Sequence, residues 1–151
     1  MASQQDLSKA DNATKLNTIV QAAKQAVADA IKLNNAVIAS NISDVAFQDT
    51  ADKCSESSQN FVRIVKECTL HWGGPSTELS QLNDKIARTA VLVQRSMTKF
   101  QNTAIDVRSR NAANNFKISE QDEQNLAQTK TLLAKEIQNI TGWANQLYTS
   151  Q

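Results

Sequence analysis

Hydrophobic residues recur every seven positions along most of this chain. Leu79, Ile86, Val93, Phe100 and Val107 form one series, and Leu126, Leu133, Ile140 and Leu147 form another. Phe47, Cys54, Phe61 and Cys68 form a third. Residues seven apart return to the same face of an α-helix, so each series predicts one buried stripe on one long helix. A second row completes each seam: Ala51, Ser58, Val65 and Trp72 for the earliest series, Ala90, Met97 and Ala104 for the next, Ile137 and Ala144 for the last. An apolar stripe precedes all three, through Leu16, Ile19, Val20, Ala23, Val27, Ala30 and Val37, broadened by Ile31 and Ile38.

The breaks between stripes set the boundaries. The polar residues 1–12 are expected to fray, and a first helix is predicted over 14–39. The Ser40-Asn41-Ile42-Ser43-Asp44 corner follows, because Asn tolerates the left-handed conformation that ends a helix and Ser caps the next one. The second helix covers 44–72 and stops at Gly73-Gly74-Pro75. The third covers 76–113 and ends in an Asn-rich stretch, and Ser119-Glu120-Gln121-Asp122 reads as a capping box opening the fourth, which runs to Tyr148. Gly142 inside that helix is a candidate kink. Four long helices with short corners predict an all-α, antiparallel up-down-up-down four-helix bundle forming a single domain over 1–151.

Composition agrees. Three Gly and one Pro are too few to punctuate a β fold, and 40% hydrophobic residues suffice for a core. A net charge of +1 demands neither nucleic acid nor an anionic membrane. No stretch reaches the ~18 apolar residues that span a bilayer. The first residues lack the basic and apolar regions of a secretory signal, which leaves an intracellular chain or one whose leader was removed. Cys54 and Cys68 lie fourteen residues apart on one helix. That separation is about 21 Å along the axis, far beyond the reach of a disulfide. Two reduced, core-facing thiols favour a cytoplasmic compartment.

Candidate chemistry is sparse. His71 is the only histidine, so no second imidazole exists for a zinc site or a di-iron motif. Its place before Trp72-Gly73 fits a loop residue at a helix end. Gly73-Gly74-Pro75-Ser76-Thr77 lacks the Gly-Lys-Ser/Thr signature and preceding strand of a phosphate loop, so it reads as a helix corner. Asp49, Asp52 and Glu56 share one helical face, where a solvated acidic surface is the simpler account than a cation site. These readings predict no enzyme, no cofactor and no metal.

Charge distribution is more informative. Residues 79–117 carry seven basic side chains against two acids, while residues 1–62 carry five Lys against seven acids. Lys85, Arg88, Arg95 and Lys99 form a stripe along the third helix, a candidate docking strip for an acidic partner or anionic head groups. Pairing with the acidic helices is the competing account, at about 0–1 kcal/mol per surface pair. No aromatics interleave with these bases, which argues against nucleic acid. Val91, Ile105, Trp143 and Tyr148 form a candidate apolar patch if the fold brings them together.

The run Val20-Gln21-Ala22-Ala23-Lys24-Gln25-Ala26-Val27-Ala28-Asp29-Ala30 resembles the Ala-rich helices of the talin and vinculin rod bundles. The chain is also similar, more loosely, to insect exchangeable apolipoproteins, bacterial helical toxin components and four-helix sensory domains. These likenesses bring no site residue with them. The expected function is a non-enzymatic helical-bundle interaction protein that binds a protein partner through a helix face. The alternative is an amphipathic bundle that opens onto lipid or membrane, as an apolar-ligand carrier or the soluble form of a pore-former. Ligand uptake predicts a cavity near Ala23, Ala30, Ala90 and Ala104, whereas protein docking predicts a tight core and an external patch.

Overall fold

A computed structural model describes residues 7, 9–39, 42–70, 72, 76–115 and 117–150. It contains four helices: α1 (Asn12–Ile38), α2 (Asp44–Leu70), α3 (Thr77–Ala113) and α4 (Glu120–Thr149). Side-chain caps start all four. Asp11 accepts from the Thr14 N–H at 2.8 Å, Ser76 from Leu79 at 3.1 Å and Ser119 from Asp122 at 3.1 Å. Ser43 does the same for the Ala46 N–H ahead of α2, at 3.1 Å. Each cap satisfies an amide that the helix itself leaves without a partner. At the other end of α3, Asn115 takes a positive φ of 55°, which Asn tolerates better than most residues.

Hydrogen bonds between helices fix the topology. On α3 and α2, Asn83 donates to the Thr69 carbonyl, Gln101 to the Ala51 carbonyl and Arg108 to the Asp44 carboxylate. Each step forward on α3 matches an equal step back on α2, which is antiparallel pairing. Ser96 with Glu136 and Arg110 with Asp122 set the same relation between α3 and α4. Asn111 near the end of α3 donates to the Val37 carbonyl near the end of α1, so these two diagonal helices run parallel. The helices are packed in the cyclic order α1-α2-α3-α4; across the diagonals the α1 and α3 backbones approach each other, and Tyr148 of α4 reaches the Cys68 carbonyl of α2. Alanines explain the α1–α3 approach: Ala23, Ala26, Ala30 and Ala90 keep the centre of the bundle narrow. The fold is the antiparallel four-helix bundle that the heptads predict.

The core contains the predicted rows of α2, α3 and α4, with Phe61, Phe100, Leu126, Leu133 and Leu147 fully buried. Four expectations need correction. Leu7 is buried within the segment expected to fray, because a leucine among polar neighbours is the residue able to close the end of the core. Trp72 packs against the core from beyond the end of α2, and its indole Nε1 is buried without a hydrogen-bond partner among the described residues. Gly142 does not interrupt α4. The deepest row of α1 is Ile19, Ala26 and Leu33, flanked by Ala23, Ala30 and Val37, while Leu16, Val20 and Val27 are only partly buried. His71 and the 73–75 corner lie outside the described residues.

Candidate functional site

The predicted basic strip lies on the outer face of α3. Lys85, Arg88, Arg95 and Lys99 are all exposed, and none forms an ion pair among the described residues. The expected pairing with acidic helices is therefore absent for these four among the described residues. Lys85 is engaged otherwise: its ammonium lies 4.4 Å from the centroid of the Trp143 ring on α4. Lys99 borders a shallow depression between α3 and α4 whose other walls are mostly polar: Thr103, Asp106, Asn125, Gln128 and Thr129, with Leu132 the apolar exception. Surroundings of that kind hold water well and gain little from being covered.

The predicted apolar patch does not assemble. Tyr148 is buried, with its hydroxyl 3.5 Å from the Cys68 carbonyl and its pKa raised by burial, the neighbouring thiol adding to the shift. Trp143 is half-buried under Lys85. Val91 and Ile105 are exposed, two heptads apart, on the shoulder of α3 that carries the α2-facing Gln101 and Arg108. Trp143 belongs to the opposite, α4-facing shoulder.

A different surface meets the criteria for recognition. α1 carries more apolar rows than its core contacts need. Outside the buried rows, Val20 and Val27 are partly buried, Ile31 is 45% exposed and Ile38 is 41% exposed. Val20, Val27 and Ile31 lie on the α4-facing shoulder, and Ile38 continues their row along α1. Across from them, α4 presents smaller side chains at Thr131, Ala134 and Thr141. The Thr141 hydroxyl is already satisfied by the Ile137 carbonyl at 2.9 Å. Branched residues facing small ones leave a groove. One lobe, of about 390 Å³, runs over Val20, Ala23, Val27 and Ile137. A second, of about 430 Å³, continues over Ala30, Thr131 and Ala134. Val27, Ile31 and Gln138 line both, so the two form one channel.

The rim is basic. Lys24, Lys130 and Lys135 border the groove, and none makes an ion pair or a hydrogen bond among the described residues. The acids within α1 and the central part of α4 point elsewhere. Asp29 is buried and accepts from Gln25 at 3.0 Å, beside the Cys54 thiol of α2. Glu136 is buried and bonded to Ser96 of α3. The groove face therefore presents positive charge without a compensating carboxylate.

Other candidate groups have structural partners. Asp49 pairs with Lys53 at 3.0 Å, and Asp52 accepts from Gln48 at 2.9 Å. No cluster of His, Cys, Asp and Glu among the described residues could hold a metal ion. Cys54 and Cys68 are free and buried. Burial pushes the Cys54 thiol up to about 12, with the Asp29 carboxylate adding to the shift. Burial likewise raises Cys68 to about 11, opposed by the charge of Lys15. Such thiols are poor nucleophiles. No helix of the described residues is long and apolar enough to cross a membrane. No family model, curated protein or solved structure matches the chain.

Proposed function

We propose that this protein is a non-enzymatic helical-bundle interaction protein that docks a protein partner against the α1–α4 face. One observation carries the reading. The aliphatic row Val20, Val27, Ile31 and Ile38 has no covering element among the described residues, and the small side chains of α4 leave a channel beside Val20, Val27 and Ile31. Single exposed apolar residues are ordinary on any surface, but a continuous apolar channel is characteristic of recognition sites. Laying a helix or strand into such a channel removes its walls from water at about 25 cal/mol per Å². The basic strip on α3 is the lesser candidate, because its neighbours are mainly polar and its charges stay hydrated.

The test is selection from a displayed library of random peptides, with wild-type protein and the Ile31→Glu variant as parallel baits. Peptides retained by wild type and lost on Ile31→Glu support the reading. Peptides lost instead on Arg88→Glu/Arg95→Glu would move the site to α3. Failure to retain any peptide, together with binding to anionic vesicles, would favour the lipid-binding alternative.

A further inference from the structure

We infer that the occupant of the α1–α4 groove is an acidic amphipathic helix: an aliphatic face seated on Val20, Val27 and Ile31, with carboxylates on both flanks reaching Lys24 on one wall and Lys130 and Lys135 on the other. This inference rests on the docking reading above and adds the chemistry of the partner. Three features define that chemistry.

The first is length. The aliphatic row from Val20 to Ile38 covers eighteen residue steps, or about 27 Å of helix axis, a five-turn track whose Val20–Ile31 part floors the groove. A straight helix of about the same number of residues matches it end to end. The second is spacing. Val20, Val27, Ile31 and Ile38 follow steps of seven, four and seven, which draws a nearly straight line along α1. A partner helix with aliphatic residues at i, i+3, i+4 and i+7 presents the complementary stripe, the pattern of helix-in-groove recognition.

The third is charge. The two walls carry Lys24 against Lys130 and Lys135, all without partners among the described residues, and the nearest acids on these helices, Asp29 and Glu136, are buried against α2 and α3. A cation on each side of an apolar floor selects an occupant whose apolar stripe is bordered by anions on both edges. It also disfavours a basic helix, since like charges brought together at the rim repel. Gln138 and Thr131 supply neutral hydrogen-bonding groups at the lip. Val27, Ile31 and Gln138 are shared by both lobes, so a rod laid along α1 meets one continuous floor.

Three synthetic helices of about 18 residues test this, sharing one Leu/Ile face and differing only in flanks of Glu, Gln or Lys. Each is titrated by fluorescence anisotropy into wild type, Ile31→Glu and the triple variant Lys24→Glu/Lys130→Glu/Lys135→Glu. All substituted side chains lie at the surface or the rim, and circular dichroism confirms that each variant keeps its helices. The Glu-flanked helix is expected to bind wild type about tenfold tighter than the Lys-flanked one at low ionic strength, the sum of a few weak surface pairs. Salt should erode that preference, the triple variant should invert it, and Ile31→Glu should weaken all three helices.

Equal affinity of wild type for all three helices overturns the acidic assignment and leaves the groove reading standing. Affinities that Ile31→Glu does not change overturn the groove reading itself. If no helix binds while dansyl-labelled palmitate binds wild type and not Ile31→Glu, the groove takes an acyl chain and the helical occupant is wrong. If neither helix nor palmitate binds, the inference likewise fails.

Discussion

Ser96 of α3 donates a hydrogen bond to the Glu136 carboxylate of α4 across the middle of the bundle, with both side chains buried. Both residues flank the seam rows, one position before Met97 on α3 and one before Ile137 on α4. A buried carboxylate without its donor bears its desolvation penalty uncompensated. Ser96→Ala is therefore expected to lower stability by about 1–3 kcal/mol in urea unfolding. Replacing both partners, Ser96→Ala with Glu136→Leu, should recover most of that loss, because an apolar pair needs no partner. Additive losses in the double variant would show that the bond is not what holds the carboxylate in place.

Arg108 and Asp44 form an ion pair at 2.9 Å, yet the two side chains differ sharply in exposure, 11% for Arg108 against 98% for Asp44. The guanidinium also donates to the Ile42 carbonyl at 3.0 Å and lies 4.7 Å from the centroid of the Phe47 ring. Exposed pairs are worth at most about 1 kcal/mol, so the arginine's importance lies in the carbonyl and the ring. Asp44→Ala should cost less than about 1 kcal/mol, helix-dipole loss included. Arg108→Ala should cost about 2 kcal/mol or more, because it strips a backbone acceptor and a packed ring together. Thermal unfolding of both variants separates the two cases.

Gly142 occupies the exposed side of a continuous helix, and a Cβ added there would meet nothing within 4 Å. Glycine in such a place costs helix stability without offering packing or a special dihedral angle. Gly142→Ala is expected to stabilise the protein by about 1 kcal/mol and raise its melting temperature. A decrease would mean that α4 needs a flexible point there.

Burial pushes both thiols above the ordinary cysteine value of about 9.0, Cys54 up to about 12 and Cys68 up to about 11. A raised thiol pKa means that the folded state holds its proton where the unfolded chain has released it. The associated stability is complete below about pH 9 and declines as the pH climbs from there towards 11–12. At neutral pH a thiol-exchange reagent should react slowly with native protein and stoichiometrically with both cysteines in urea. Rapid labelling of the native state would show that the α1–α2 seam opens readily.

The fold was legible because the heptads of α2, α3 and α4 allow one burial pattern each. Phe61, Phe100 and Leu133 have no exposed alternative that keeps their neighbours covered. α1 was legible as a helix but not in its rotation. Its apolar arc is so wide that Val20 and Val27 read as core, whereas Ile19, Ala26 and Leu33 take the deepest positions. The excess of apolar rows on α1 was the available signal for the groove. The opposite wall could not be read in advance, because Ala134 and Thr141 become a channel only when the structure sets them against branched residues. Tyr148 was misplaced for a related reason: an amphipathic ring at a helix end suits either surface or core, and the Cys68 carbonyl decides for the core. The four bases of the α3 strip are exposed, and their setting beside Trp143 and Leu132 depends on the register between α3 and α4.

The most direct test of the central claim is amide chemical-shift mapping by NMR with the Glu-flanked helix. Perturbations are expected to concentrate over residues 20–31 of α1 and 130–141 of α4, with the dispersion of a folded bundle retained. Perturbations centred on residues 85–99 of α3, or a general collapse of dispersion as the bundle opens, would contradict the claim.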